Sequence, residues 1–91
     1  MGRTTNEPGK GVRARFKEWF FAAYMKWMGE QPLNLEAAAD VSAFAKFLGV
    51  TSFNAYRFIR GNTVPRGADL TAISSRLGPD VYFTLGRQAP G

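Results

Sequence analysis

The segment spanning residues 51–60 concentrates side chains that could bind another molecule. As a helix, with about 100° between successive residues, it would place two arginines and two aromatic residues on one side: Phe53, Tyr56, Arg57 and Arg60. Its opposite side would carry apolar residues suited to a core: Ala55, Phe58 and Ile59. Guanidinium donors beside exposed rings have the chemistry of nucleic-acid recognition.

Three of these side chains have a specific use in the DNA major groove. A guanidinium pairs bidentately with guanine O6 and N7, which suits Arg57. A ring such as Phe53 packs on a thymine methyl group, and the Tyr56 hydroxyl can donate to a phosphate. Plainer roles stay open: Arg57 as a solvated charge, and Phe53 as a core edge or dimer contact. The alternative role for Tyr56 is packing. The alternative role for Arg60 is to stabilise the C-terminal end of the helix through its interaction with the helix dipole.

Positive charge is concentrated around the same segment. The chain has 12 Lys and Arg residues against 7 Asp and Glu, a formal net charge of +5. Residues 41–66 contain no acidic residue and these basic ones: Lys46, Arg57, Arg60 and Arg66. Residues 31–40 contain Glu36 and Asp40 and no basic residue. This distribution favours a polyanionic partner, with Lys46 and Arg66 either near its backbone or facing solvent.

Composition narrows the class of protein. The 91 residues suffice for one domain with a modest core. Without Cys or His, the chain lacks thiolates, the usual zinc ligand and the commonest general base, so we expect no enzyme, metal, cofactor or small-molecule substrate. The longest apolar stretch, residues 19–25, is too short for a membrane span, and residues 1–11 are too polar for a signal peptide. A soluble, cytoplasmic protein is expected.

Residues 12–28 predict a long aromatic helix. Their apolar residues recur every three or four positions as one stripe: Phe16, Trp19, Phe20, Ala23, Tyr24, Trp27 and Met28. Gly29 is suited to end this helix. The stripe predicts the core of a small domain, or alternatively a docking face for a partner. Phe21 and Met25 lie off the stripe, where they either extend the core or mark a dimer surface.

Three segments have weaker patterns. Residues 1–11 predict a flexible basic arm, which either wraps DNA or is a frayed terminus. Residues 30–39 are rich in Ala and predict a connection with partial helical character. Residues 87–91 predict a loose C-terminal tail, so that residues 12–86 form the folded domain.

Two short helices joined by a tight turn are predicted after this connection. Asp40 is suited to cap a helix that ends at Gly49, where a left-handed residue turns the chain sharply. One face of this helix is apolar: Val41, Phe44, Ala45 and Leu48. Thr51 is suited to cap the following helix, which runs to about Arg60 and stops at Gly61.

Two further helices complete the pattern. Residues 69–77 predict one helix, whose inward side chains are Leu70, Ile73 and Leu77. Residues 80–85 predict a short last helix, with Val81 and Leu85 one turn apart. No segment of strand length alternates apolar and polar residues. The predicted fold is all-α, a compact bundle of four to five helices.

The stretch covering about residues 40–85 resembles the lambda-repressor-like helix-turn-helix family, which includes Cro and the phage repressor DNA-binding domains. That family's pattern runs Leu-Ala-x-x-Leu-Gly-Val-Ser, then a variable helix, a Gly and a Pro. The matching residues here are Phe44, Ala45, Leu48, Gly49, Val50, Thr51, Gly61 and Pro65. The family's next helix, Leu-x-x-Ile-Ala-x-x-Leu-Gly, is matched by Leu70, Ile73, Leu77 and Gly78. Departures are Phe44 for Leu, Ile59 for a frequent Glu, and Ser74 for Ala.

Together with the helix geometry, the resemblance implies a reading helix at residues 51–60 that enters the major groove. The implied base-reading residues are Ser52, Phe53, Tyr56 and Arg57. The implied contacts to the DNA backbone are Val41, Ser42, Lys46, Thr51, Asn54, Arg60 and Arg66.

The resemblance further implies a transcriptional regulator that binds double-stranded DNA, most simply a repressor of phage or mobile-element type. Small proteins of this family usually bind as homodimers on roughly palindromic operators, with two reading helices about 34 Å apart. The alternative is an antitoxin-like or adaptor module that binds another protein through the aromatic helix of residues 12–28.

Overall fold

Five helices make up the computed structural model, which describes residues 8–31 and 40–89. They are α1 (Pro8–Gly29), α2 (Val41–Leu48), α3 (Ser52–Arg60), α4 (Ala68–Leu77) and α5 (Asp80–Thr84). No strand occurs within those two ranges. The prediction of an all-α bundle is confirmed. None of the helices in the described part of the chain is long and apolar enough to cross a membrane.

The first helix begins earlier than the sequence pattern predicts. We expected residues 1–11 to be a flexible arm, but α1 already starts at Pro8. Proline is favoured at the first helical position, where its missing N–H costs no hydrogen bond. A helix nucleated by its packed part extends readily by a further turn, which accounts for residues 8–11. The rest of the predicted arm, most of the 30–39 connection and the last two residues of the tail lie outside the described residues.

Local capping signals define α2 and α3. The Asp40 carboxylate accepts a hydrogen bond from the Ala43 N–H at 3.0 Å, and the Thr51 hydroxyl accepts one from the Asn54 N–H at 3.1 Å. Gly49 and Gly61 follow the two helices with φ of 88° and 77°, the left-handed conformation that glycine adopts without strain. Both predicted caps and both predicted stops are confirmed.

Aromatic residues dominate the core beneath α3. The largest fully buried side chains are Phe16, Phe20, Phe44, Phe58, Leu48, Ile73 and Val81. The Phe58 ring of α3 meets the Phe16 and Phe20 rings of α1 edge-on, with centroids 5.7 and 5.6 Å apart. The predicted core role of the α1 stripe is therefore confirmed for Phe16 and Phe20. The other residues of the stripe are only half-buried: Trp19, Ala23, Tyr24, Trp27 and Met28.

The C-terminal helices close the bundle against α1. Helix α4 starts one residue earlier than predicted and α5 ends one residue earlier, at Thr84. Val81 and Leu85, which were predicted to lie one turn apart, are both buried. The Arg15 side chain of α1 donates from Nε to the carbonyl oxygen of Thr84, at 3.3 Å. This contact and the shared core hold α1 and α5 together.

Candidate nucleic-acid interface

The outer face of α3 combines exposed polar and aromatic side chains. It consists of Ser52, Phe53, Tyr56, Arg57 and Arg60, all of which are exposed. The Phe53 side chain is 70% exposed and Tyr56 39%. On the opposite side of the helix, Ala55 and Phe58 are buried in the core. The predicted division of this helix into a core side and an outward side is confirmed.

Each arginine of this face lies over an aromatic ring. The Arg57 Cζ atom lies 5.7 Å from the centroid of the Phe53 ring, and the Arg60 Cζ atom lies 6.0 Å from that of Tyr56. Both pairs have the i, i+4 spacing that brings side chains together on a helix surface. A guanidinium over a ring is attracted by the ring's quadrupole. The outer face of α3 therefore presents two planar, positively charged guanidinium groups, each held over a ring.

Contacts with α1 and α4 fix the direction of α3. An added Cβ atom at Gly61 would lie 2.8 Å from Cδ of Lys17, so the end of α3 approaches α1 closely. The Asn54 amide donates from Nδ2 to Oδ2 of Asp69 in α4, at 2.9 Å. We predicted a DNA backbone contact for Asn54, but its side chain has this partner within the protein. Its observed role is to tie the start of α3 to α4.

The remaining predicted backbone contacts divide by exposure. The side chain of Val41 is buried, so only its backbone could meet a phosphate at the start of α2. Four others are exposed: Ser42, Lys46, Thr51 and Arg66. The Thr51 hydroxyl already accepts the capping bond from α3, which leaves its own O–H free to donate.

A small polar cleft lies beside α3 and was not foreseen from the sequence. It encloses about 160 Å³ and is lined by Arg57 and Arg66 together with Thr63 and Asp69. The two arginines thus belong to one surface although nine positions separate them. Only the packing of the loop after α3 against α4 reveals this proximity, because sequence spacing alone does not place a loop.

Tyr24 links α1 to the edge of the α2–α3 surface. Burial raises the pKa of its hydroxyl above the ordinary tyrosine value, and the nearby Asp40 and Tyr56 side chains raise this pKa further. Neither Tyr24 nor Asp40 was among the predicted site residues.

A second exposed surface lies on α1. The side chains of Phe21 and Met25 are 46% and 50% exposed, which excludes the alternative that they extend the core. A groove of about 400 Å³ also opens between α1, α2 and α4, lined by Trp19, Trp27, Phe47 and Arg76 among others. The Arg76 Cζ atom lies 5.5 Å from the centroid of the Phe47 ring.

Comparison with other proteins returns no match for this chain among family models, curated proteins or solved structures. The resemblance to the lambda-repressor-like family stays a prediction from the sequence motif. Functional inference therefore depends on the residues and geometry of the surfaces described above.

Proposed function

We propose that this chain is a sequence-specific DNA-binding protein that inserts α3 into the major groove of double-stranded DNA. The observation that carries this proposal is the outer face of α3, where two exposed arginines lie over two exposed rings. Guanidinium groups recognise guanine edges and phosphates, and aromatic rings contact thymine methyl groups.

The dimensions of α3 suit the groove. Its nine residues make a helix about 14 Å long. A helix with its side chains is about 10–12 Å across and the major groove is about 12 Å wide. The Thr51 cap and the glycine turn before it leave the first turn of α3 facing outward, so Ser52 and Phe53 can approach base edges.

Charge around α3 supports a polyanionic partner. Residues 41–66 contain no acidic residue. The Asp69 carboxylate, which lies in the cleft beside Arg57 and Arg66, accepts a hydrogen bond from the Asn54 amide. Lys46 and Arg66 are exposed on the helix before α3 and on the loop after it. At the start of α2 the exposed Ser42 hydroxyl can donate to a phosphate, whereas the Ala43 N–H is already bound to the Asp40 carboxylate. These groups lie on either side of α3, where contacts to the DNA phosphates are expected for a helix that reads the bases.

The biological role that fits such a binding domain is transcriptional regulation, most simply repression by occupying an operator. In this proposal two copies bind a roughly palindromic site and place their α3 helices about 34 Å apart, one turn of DNA. The suggestion of a phage or mobile-element regulator comes from the sequence resemblance.

Selection of bound sites from random duplex DNA tests this function directly. We expect a defined motif with two related half-sites at a spacing of one helical turn. Arg57→Ala should reduce affinity for that motif by about 1–3 kcal/mol and relax the base preference at one position. The matched control is Arg76→Ala, because Arg76 also lies over a ring but outside α3. Absence of any enriched sequence, or equal losses for the two variants, would contradict the proposal.

A second candidate function is binding of another protein through α1, as an antitoxin-like or adaptor module. The exposure of Phe21 and Met25 favours it, since apolar side chains in solvent mark interaction surfaces when they are adjacent. Replacing both by Ser should abolish such an interaction without affecting DNA binding. A partner whose binding depends on these two residues, in a protein that selects no DNA sequence, would favour this second function.

A further inference from the structure

Phe53 and Arg57 form the outermost of the two aromatic–arginine pairs on α3. Phe53 is the second residue of the helix and, at 70%, the most exposed large apolar side chain in the part of the chain that the structure describes. Such exposure costs free energy in water, because the ring is solvated on most of its surface. Arg57 covers part of that ring and leaves the remainder open to a ligand.

We infer that Phe53 and Arg57 act together as one reading unit for two neighbouring bases, a thymine beside a guanine. In this arrangement the Phe53 ring covers the thymine 5-methyl group, and the Arg57 guanidinium pairs with O6 and N7 of the guanine. The inference rests on the proposed function, since it requires α3 to lie in the major groove. It adds the base step that the helix recognises and makes Phe53 a specificity-determining residue.

The distance between the two groups supports a single base step. The guanidinium carbon lies 5.7 Å from the centre of the ring. Successive base pairs are about 3.4 Å apart, so two steps span about 6.8 Å. The separation lies between one and two steps, so the extended Arg57 side chain keeps the guanidinium within reach of the base pair next to the one that the ring contacts.

Stacking on the ring also orients the arginine before DNA binds. An arginine side chain has many rotamers, and fixing them on binding weakens affinity. The Phe53 ring restricts the Arg57 guanidinium to one side of the helix. Removal of the ring should therefore weaken the guanine contact as well as the methyl contact, and the two effects should not be additive.

The second pair suits a different contact. Tyr56 is less exposed than Phe53, and its ring ends in a hydroxyl that can donate to a phosphate oxygen. Arg60 is the last residue of α3, so it lies farther from the helix start that approaches the bases. This pair is better placed at the DNA backbone, which leaves Phe53 and Arg57 to discriminate between sequences.

Modified bases in the selected duplex test the reading unit with the unaltered protein. Replacing thymine by deoxyuridine removes only the methyl group, and replacing guanine by 7-deazaguanine removes only the N7 acceptor. We expect one thymine per half-site, next to a guanine, to lose about fourfold in affinity on demethylation, the factor for one buried methyl group. The neighbouring 7-deazaguanine should weaken binding about tenfold, within the range for a bidentate contact.

Variants then assign the effects to side chains. Phe53→Ala should bind the thymine and deoxyuridine duplexes equally, whereas Phe83→Ala, which truncates another exposed ring in α5, should keep the fourfold difference. Arg57→Ala should lose the response to 7-deazaguanine. Circular dichroism checks that each variant folds.

The two levels of the proposal fail in different ways. If the protein enriches a duplex sequence but no thymine beside a guanine responds to demethylation, the reading unit is wrong and DNA recognition by α3 stands. The same conclusion follows if Phe53→Ala keeps the difference between thymine and deoxyuridine. If no duplex is enriched, or if single-stranded DNA binds more tightly than any duplex, both the reading unit and the proposed function are wrong.

Discussion

Helices α3 and α1 both carry exposed aromatic residues, and the neighbours of these residues differ. On α3, Phe53 and Tyr56 each lie beneath an arginine guanidinium. On α1, the ring of Phe21 lies 6.1 Å from that of Tyr24, and Met25 is exposed one turn further along. The same kind of side chain therefore contributes to a cationic surface on one helix and to an apolar surface on the other.

The difference shows why aromatic exposure alone does not define a partner. An apolar patch gains most when another apolar surface covers it, which is the chemistry of protein association. A ring covered by a guanidinium keeps a positive charge at the surface, which attracts a polyanion and orients a planar donor. Both α3 and α1 expose aromatic rings. The arginines of α3 are therefore what distinguishes its candidate nucleic-acid surface from the apolar surface of α1.

The largest effect should come from the residue that joins the two helices. Phe58→Ala removes the ring that meets Phe16 and Phe20 at the centre of the core. The free energy of unfolding should fall by about 3–5 kcal/mol, as for other buried Phe truncations. Urea unfolding followed by circular dichroism measures this loss.

Phe53→Ala on the outer side of the same helix is the matched control for that variant. Because its ring faces solvent, the free energy of unfolding should change by about 0.5 kcal/mol or less. Similar losses for the two variants would show that Phe53 belongs to the core edge, and the contrast between the surfaces of α3 and α1 would then lose its basis.

The next effect concerns the close approach of α3 to α1. Gly61→Ala places a Cβ atom at a residue with φ of 77° and 2.8 Å from Cδ of Lys17. We expect a loss of about 1–2 kcal/mol in stability, the cost of the left-handed conformation for a residue with a side chain. Thermal unfolding detects this as a lower Tm.

Gly11→Ala is the opposite case and serves as the control. Gly11 lies within α1, and a Cβ there would meet no atom within 4 Å. Because Ala favours helix over Gly, stability should rise by about 0.5–1 kcal/mol. A gain in stability for Gly61→Ala as well would mean that α3 does not end in the left-handed turn on which its direction depends.

Features encoded by neighbouring residues could be predicted from the sequence. The caps at Asp40 and Thr51 and the glycine stops depend on residues within one turn, and so does the outward face of α3. The early start of α1 could not be predicted from apolar periodicity, because the sequence of residues 8–11 contains no large apolar residue. Pro8 was the available signal, since proline is favoured at the first position of a helix.

Contacts between distant residues were beyond sequence reasoning. The hydrogen bond between Asn54 and Asp69 joins α3 to α4 through two residues that are 15 positions apart. Without it, Asn54 looks like any polar residue on the first turn of a reading helix. The groove containing Phe47 likewise exists only because α1, α2 and α4 pack around it. Periodicity identifies which side of a helix is buried, but it does not identify the element on the other side.

A smaller effect is expected from the pair at the end of α3. Arg60→Ala should weaken binding to every duplex sequence, because we assign Arg60 to a phosphate. The slope of log affinity against log salt concentration should fall by about one unit, since one fewer counterion is released. Fluorescence anisotropy over a range of salt concentrations measures the slope. An unchanged slope, or a loss confined to one sequence, would move Arg60 from the backbone to the bases.

The smallest effect on DNA binding should come from the surface of α1. In the double variant Phe21→Ser and Met25→Ser, we expect affinity for the selected duplex to change by about 0.5 kcal/mol or less, because both side chains are exposed and lie outside α3. Sedimentation of the free protein and of its DNA complex should be measured on the same variant. A tenfold loss of affinity together with loss of the two-to-one complex would show that α1 joins two copies on DNA. The apolar surface of α1 and the cationic surface of α3 would then both serve DNA binding. Their roles would differ, because α1 would hold the two copies together and α3 would contact the bases.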